Sequence, residues 1–168
     1  MGYGRSAGVL IVAVALSGAP PALAQGVKRF KVRLAPVPID LTMMATVAGS
    51  GAATATLTGG KLTITGTFDG LHSPATIAQI HKGPVTGVRG PALFDLTVAK
   101  STSGAITGTV DLTPAQITDL EKGRLYIQLH SEKAPDGNLW GWLLPVRGTG
   151  FRTKLVRKPV PEKVSRST

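Results

Sequence analysis

Three histidines, His72, His81 and His130, are the only imidazoles in this 168-residue chain, which has no cysteine. Thiolate chemistry, disulfides and zinc–thiolate sites are therefore excluded. Copper or zinc would need two or three imidazoles at bonding distance. Residues two apart on a strand share a face. Gln79 should thus project with His81, and Tyr126 and Gln128 with His130, while Ala78, Ile80, Leu125, Ile127 and Leu129 point the other way. If those two strands are near neighbours, His81 and His130 are the primary metal ligands to expect, with His72 as a third. The plainer role for a histidine at a strand end, beside Lys82-Gly83-Pro84 or Ser131-Glu132, is a hydrogen bond to a loop backbone that fixes the turn.

Catalytic sets are harder to assemble. Asp69, Asp95, Asp111, Asp119, Glu121, Glu132 and Asp136 are scattered over strand ends and turns. Ser73 and Ser131 stand near histidines in sequence, yet no G-x-S-x-G elbow is present to activate a nucleophile. Phosphate-loop and dinucleotide signatures are absent as well. A non-catalytic protein is expected, with no cofactor unless copper or zinc is held by the histidines. Trp140 and Trp142 are a stronger lead, because with Leu144 they lie on one face of the last strand and would form an apolar patch there. Either Phe30, Val32 and Leu34, or Phe151 and Leu155, fold back to cover it, or it docks a partner, since Trp is frequent among binding hot spots. The candidate binding surface is accordingly Trp140, Trp142, Tyr126, Gln79 and Gln128.

Period-two alternation, with abundant Thr, Val and Ile and frequent Gly, is the pattern of an all-β sandwich or barrel. Strands are expected at Asp40 to Val47, Ala52 to Leu57, Lys61 to Phe68, Thr76 to His81, Ala92 to Val98, Ala105 to Leu112, Arg124 to His130 and Asn138 to Leu144. Thr58-Gly59-Gly60-Lys61 is hairpin chemistry, and Pro135-Asp136-Gly137 reads as the turn joining the last two strands. One short helix is signalled by Thr113 as N-cap, Pro114 at the first helical position, Gln116 three residues after the cap and Gly123 as the stop.

The net charge of +10 resides in the ends. Lys28, Arg29, Lys31 and Arg33 crowd one end and seven bases follow from Arg147, whereas Leu34 to Val146 holds seven bases against eight acids. Residues 25–38 read as a basic N-terminal arm, in which Lys28 to Leu34 is an edge strand or an adhesive arm, and 147–168 as a basic, partly disordered tail. Ahead of them, Arg5, the apolar run Val9 to Leu16 and Ala22-Leu23-Ala24 have the form of an export signal over residues 1–24. That run is shorter than the roughly 20 residues a membrane-spanning helix needs. A periplasmic or secreted protein is expected, without a transmembrane segment once the signal is removed. Its expected partner is an envelope protein or an acidic surface polymer, not nucleic acid.

Gly70-Leu71-x-x-Pro74-Ala75-Thr76, Ala78-Gln79-Ile80-His81-Lys82-Gly83-Pro84, Gly90-Pro91, Leu120-x-x-Gly123-x-Leu125-Tyr126-x-x-Leu129-His130 and Pro135-x-Gly137-x-Leu139-x-Gly141 resemble, in order and spacing, the chordin-type CHRD domain over residues 39–146. The resemblance implies an antiparallel β-sandwich, immunoglobulin-like or superoxide-dismutase-like, of about eight strands. It also implies a mainly extracellular family with single-domain bacterial members of unassigned role. The function expected of this chain is an exported, non-catalytic binding or scaffold module in the cell envelope. The alternative is a copper or zinc accessory protein using His81 and His130. Three departures stand out. Gln79 replaces a family histidine, Leu129-His130-Ser131 replaces Val-His-Thr, and Gly137-Asn-Leu-Trp-Gly-Trp-Leu143 replaces Gly-Glu-Ile-Arg-Gly-Gln-Leu, exchanging outward polar residues for two tryptophans. Three histidines are too few for a bridged two-metal dismutase site.

Overall fold

The computed structural model describes residues 26–38 and 40–146. Among the described residues nine strands and one helix follow one another as β1 (Lys28–Pro36), β2 (Ser50–Thr58), β3 (Lys61–Asp69), β4 (Ala75–Lys82), β5 (Ala92–Val98), β6 (Gly104–Asp111), α1 (Pro114–Glu121), β7 (Leu125–Ser131), β8 (Ala134–Trp142) and the short β9 (Leu144–Pro145). All pairings are antiparallel. Neighbours run β2-β3-β6-β5-β4-β7-β8-β1, and β1 pairs β2 again. The all-β class with one helix is as expected, but the sandwich is not: the sheet closes on itself as an eight-stranded barrel.

Closure depends on β1. Its first seven residues run along β2, from Lys28↔Leu57 to Leu34↔Gly51, and its last two cross to β8 through Ala35↔Trp140 and Pro36↔Leu139. The alternation of Phe30, Val32 and Leu34 with Lys31 and Arg33 sends the apolar set inward, where all three are buried, and leaves the bases in water. The segment expected to be an arm or edge strand is thus a barrel stave. Full burial of one such side chain contributes about 2 kcal/mol. Phe30, Val32 and Leu34 join Leu57, Leu62, Ile64, Ile80, Ile106, Leu125, Ile127, Leu129 and Leu139 in one interior core.

Two further expectations are corrected. Asp40 to Val47 is a run of turns, because Asp40 Oδ1 accepts the amides of Thr42 at 2.8 Å and Met43 at 3.1 Å and so bends the chain away from extension. Pro135-Asp136-Gly137 lies inside β8, and the hairpin turn is Glu132-Lys133 between the paired Ser131 and Ala134. Pro135 has no amide to give the ladder, and the register of β7 with β8 shifts between Leu129 and Ser131. The helix is as read: Thr113 Oγ1 accepts from Gln116 N, while Gln116 Oε1 accepts from Thr113 N, a reciprocal capping box. The Thr58 to Lys61 hairpin is likewise present.

Candidate functional site

Three adjacent strands set the candidate residues in rows. Across β4, β7 and β8 the ladder aligns His81 with Tyr126 and Trp142, and Gln79 with Gln128 and Trp140; His130 sits opposite Ile77. Leu125, Ile127 and Leu129 face the barrel interior, so Tyr126, Gln128 and His130 face outward. The predicted sharing of one face by these side chains is therefore what the register produces.

The face is not the open polar surface that alternation alone would suggest. Tyr126 is fully buried, and Gln128 and His81 nearly so, while Trp140 and Trp142 are half-buried. The cover is the 83–91 loop between β4 and β5. Gly90 N–H donates to the Tyr126 hydroxyl at 3.0 Å, and Gly90 O accepts both that hydroxyl at 3.2 Å and His81 Nδ1–H at 3.0 Å. A Cβ on Gly90 would collide with the Lys82 carbonyl oxygen, so only glycine permits this close approach. At the other end of β7, His130 Nδ1–H donates to Pro135 O at 2.7 Å and Gln128 Nε2–H to Asp136 O at 2.9 Å. The carbonyls of Pro135 and Asp136 are thus occupied by side chains of β7.

The rings form one cluster. His81 stacks on Tyr126 with centroids 5.0 Å apart, and Tyr126 packs on Trp142 at 4.5 Å and edge-on to Trp140 at 6.0 Å. The two indoles meet at 6.1 Å, and the imidazoles of His81 and His130 at 6.3 Å. The Arg89 guanidinium lies over Trp140 at 5.7 Å. Phe30, Val32 and Leu34 lie in the barrel core, so they do not cover the tryptophans in the way proposed; Phe151 and Leu155 lie outside the described residues.

A carbonyl oxygen can only accept, so each Nδ1 carries its proton, and in the neutral ring Nε2 keeps a free lone pair. Both Nε2 atoms, of His81 and of His130, are buried and have no hydrogen-bond partner among the described residues. Burial is the main influence that lowers the His81 pKa below the ordinary histidine value; the Gly90 carbonyl opposes it, and His130 and Arg89 add to it. The His81 ring is therefore neutral at pH 7, and its buried Nε2 keeps its lone pair within the aromatic cluster.

Other candidates are placed elsewhere. His72 is exposed and its Nδ1 pairs with Ala45 O at 3.0 Å. Among the described residues no group of three His, Asp or Glu side chains could hold a metal. Gln79 Nε2–H donates to Asp95 at 2.8 Å. Ser73 Oγ accepts Lys133 N–H, and Ser131 Oγ accepts Asn138 Nδ2–H, so neither serine is bonded to a histidine. Arg89 carries no sequence signal of its own, and Gly90 stands out in the sequence only as part of the family-like Gly90-Pro91 pair. Nothing local shows that the loop carrying this pair folds back over β7.

A family model for the CHRD domain matches residues 36–143. The chain belongs to the CHRD family. The match begins at Pro36, where β1 ends, so this CHRD chain closes its barrel with a strand that lies almost wholly ahead of the matched region. No curated protein and no solved structure matches the chain.

Proposed function

We propose that this CHRD protein is an exported, non-catalytic binding module, and that the His81–Tyr126–His130–Trp140–Trp142 cluster is its binding element. The observation that carries this reading is the pair of buried, unpartnered Nε2 atoms. A buried polar atom without a partner costs about 1–3 kcal/mol, so a fold that keeps two of them together is organised for something that satisfies them. Absence of a catalytic role rests on the separation of acids, serines and histidines described above. Export rests on the signal-like pattern of residues 1–24, and an acidic or envelope partner on the basic ends.

An alternative, favoured by the same two nitrogens, is a metal-binding accessory protein for copper or zinc. The test common to both is isolation of the protein from its native compartment without chelator, followed by measurement of bound metal, bound small molecules and co-purifying proteins. Material that His81→Gln or Trp140→Ala releases supports the cluster as the binding element. A stoichiometric partner that neither substitution disturbs places binding elsewhere.

A further inference from the structure

The geometry points to a two-coordinate site for a soft monovalent cation, copper(I) in chemical class, held by Nε2 of His81 and Nε2 of His130 and walled by Tyr126, Trp140 and Trp142. The inference rests on the binding role proposed for the cluster and names its ligand.

The register places His81 opposite Tyr126, four residues along β7 from His130. That separation is about 13 Å of strand at roughly 3.3 Å per residue, yet the imidazole centroids are 6.3 Å apart. The two rings therefore lean toward one another. Their Nδ1 atoms are tied to two separate carbonyls, of Gly90 in the 83–91 loop and of Pro135 on β8 beside His130. Each Nε2, on the ring edge away from the carbonyl that holds Nδ1, is buried and has no hydrogen-bond partner among the described residues. A metal bound by each imidazole at about 2 Å sits between rings whose centroids are roughly 6 Å apart. The Nδ1–H to carbonyl bonds are the outer contacts that fix the orientation of a ligating histidine and raise its basicity.

The remaining chemistry selects the ion. An anion is disfavoured, because with the proton on Nδ1 the two unpartnered Nε2 atoms offer it no hydrogen. Zinc asks for about four ligands, commonly with an anionic or water member, whereas no third His, Asp or Glu joins the pair among the described residues. Asp95 is already engaged by Gln79. Two neutral nitrogens compensate a divalent charge poorly at a site that also faces a guanidinium. A d10 monovalent ion is satisfied by two nitrogens, carries half that charge, and gains from the indole faces.

The test is an anaerobic titration of the purified protein with copper(I) delivered from a competing chromogenic chelator, repeated with silver(I) as a redox-inert substitute and with zinc(II). The expected result is one equivalent of copper(I) or silver(I), quenched tryptophan emission, and affinity reduced about 100-fold or more in His81→Ala and in His130→Ala, with His72→Ala unchanged. Should either variant fail to fold, imidazole nitrogen NMR of the unsubstituted protein decides: silver(I) should move Nε2 of His81 and His130 and leave His72 in place. No monovalent uptake, or uptake that leaves those two nitrogens unmoved, overturns the site. Zinc(II) bound at the same nitrogens as tightly as silver(I) overturns the monovalent assignment but preserves the cluster as a binding element. Only a natively isolated protein with nothing bound at the cluster, together with nitrogens silent to every ion, removes that role as well.

Discussion

The Tyr126 hydroxyl and the Gly90 backbone are bonded twice, the hydroxyl accepting from Gly90 N–H at 3.0 Å and donating to Gly90 O at 3.2 Å. Since Gly90 O also receives His81 Nδ1–H, one phenol holds the loop that holds the imidazole. Tyr126→Phe removes the hydroxyl without changing the ring. A loss of about 1–2 kcal/mol in urea unfolding is expected, together with faster amide exchange at Gly90. Unchanged exchange there would show that the loop is secured by other contacts.

Closure by β1 predicts a large effect from a residue outside the matched family region. Phe30 is buried in the core, and Phe30→Ala should cost about 3–5 kcal/mol, whereas Lys31→Ala on the outer face should change stability by less than about 0.5 kcal/mol. Denaturant midpoints of the two variants check this. Equal, small effects would mean that the first strand is dispensable.

Asp119 gives the fold an acid-sensitive tie. Its carboxylate meets Lys82 Nζ at 2.6 Å and Arg124 Nη1 at 3.3 Å, linking α1 to the end of β4 and the start of β7. The bond from Lys82, then that from Arg124, holds the carboxyl below its ordinary value of 3.8 against the opposing effect of burial. With a folded pKa below the unfolded one, the unfolded chain binds more protons over the interval between them. The stabilisation is complete above about pH 4–5 and is lost as pH falls through the folded value. In Asp119→Asn the stability–pH curve should be flatter below pH 4, measured by thermal unfolding from pH 2 to 7; an unaltered acid limb would assign the loss to other carboxyls.

Arg89 should act as a cover more than as a support. It is exposed, lies over Trp140 and reaches Asp136 O at 3.4 Å. Arg89→Ala should change stability by no more than about 1 kcal/mol while increasing acrylamide quenching of tryptophan emission. Quenching that stays the same would show that the guanidinium does not shield the indoles.

Much of this architecture was legible in the sequence, because the strands from β2 to β8, the Gly59-Gly60 hairpin and the Thr113 cap are all local signals. The common direction of Gln79 with His81, of Tyr126 with Gln128 and His130, and of Trp140 with Trp142 was legible too, since a period of two fixes direction within a strand, whereas the adjacency of β4, β7 and β8 that joins them in one face was not. Barrel closure was not, because alternation says which side of a strand is apolar and nothing about whether the first strand meets the last. Phe30-Lys31-Val32-Arg33-Leu34 reads identically as an edge or as a stave. The burial of Tyr126 was hidden for a similar reason: its cover comes from Gly90, 36 residues away. Asp40-Leu41-Thr42 did hold a usable cue, an aspartate able to accept amides two and three residues on, and the alternating apolar residues after it obscured that cue.

The seam where β1 meets β8 and β9 sets a condition on how the molecule can form. Phe30 lies opposite Pro145 and Ala35 opposite Trp140, so the ring is completed by contacts between the two ends of the described chain. Chain-closure entropy for so long a loop is paid before those contacts return anything, which places such topologies among the millisecond-to-second folders. Until β8 has left the ribosome, β1 can pair with β2 alone, and its inward Phe30, Val32 and Leu34 have only part of their final surroundings. The barrel can therefore close only after β8 and β9 have been made, and until then a nascent chain stays open along one side.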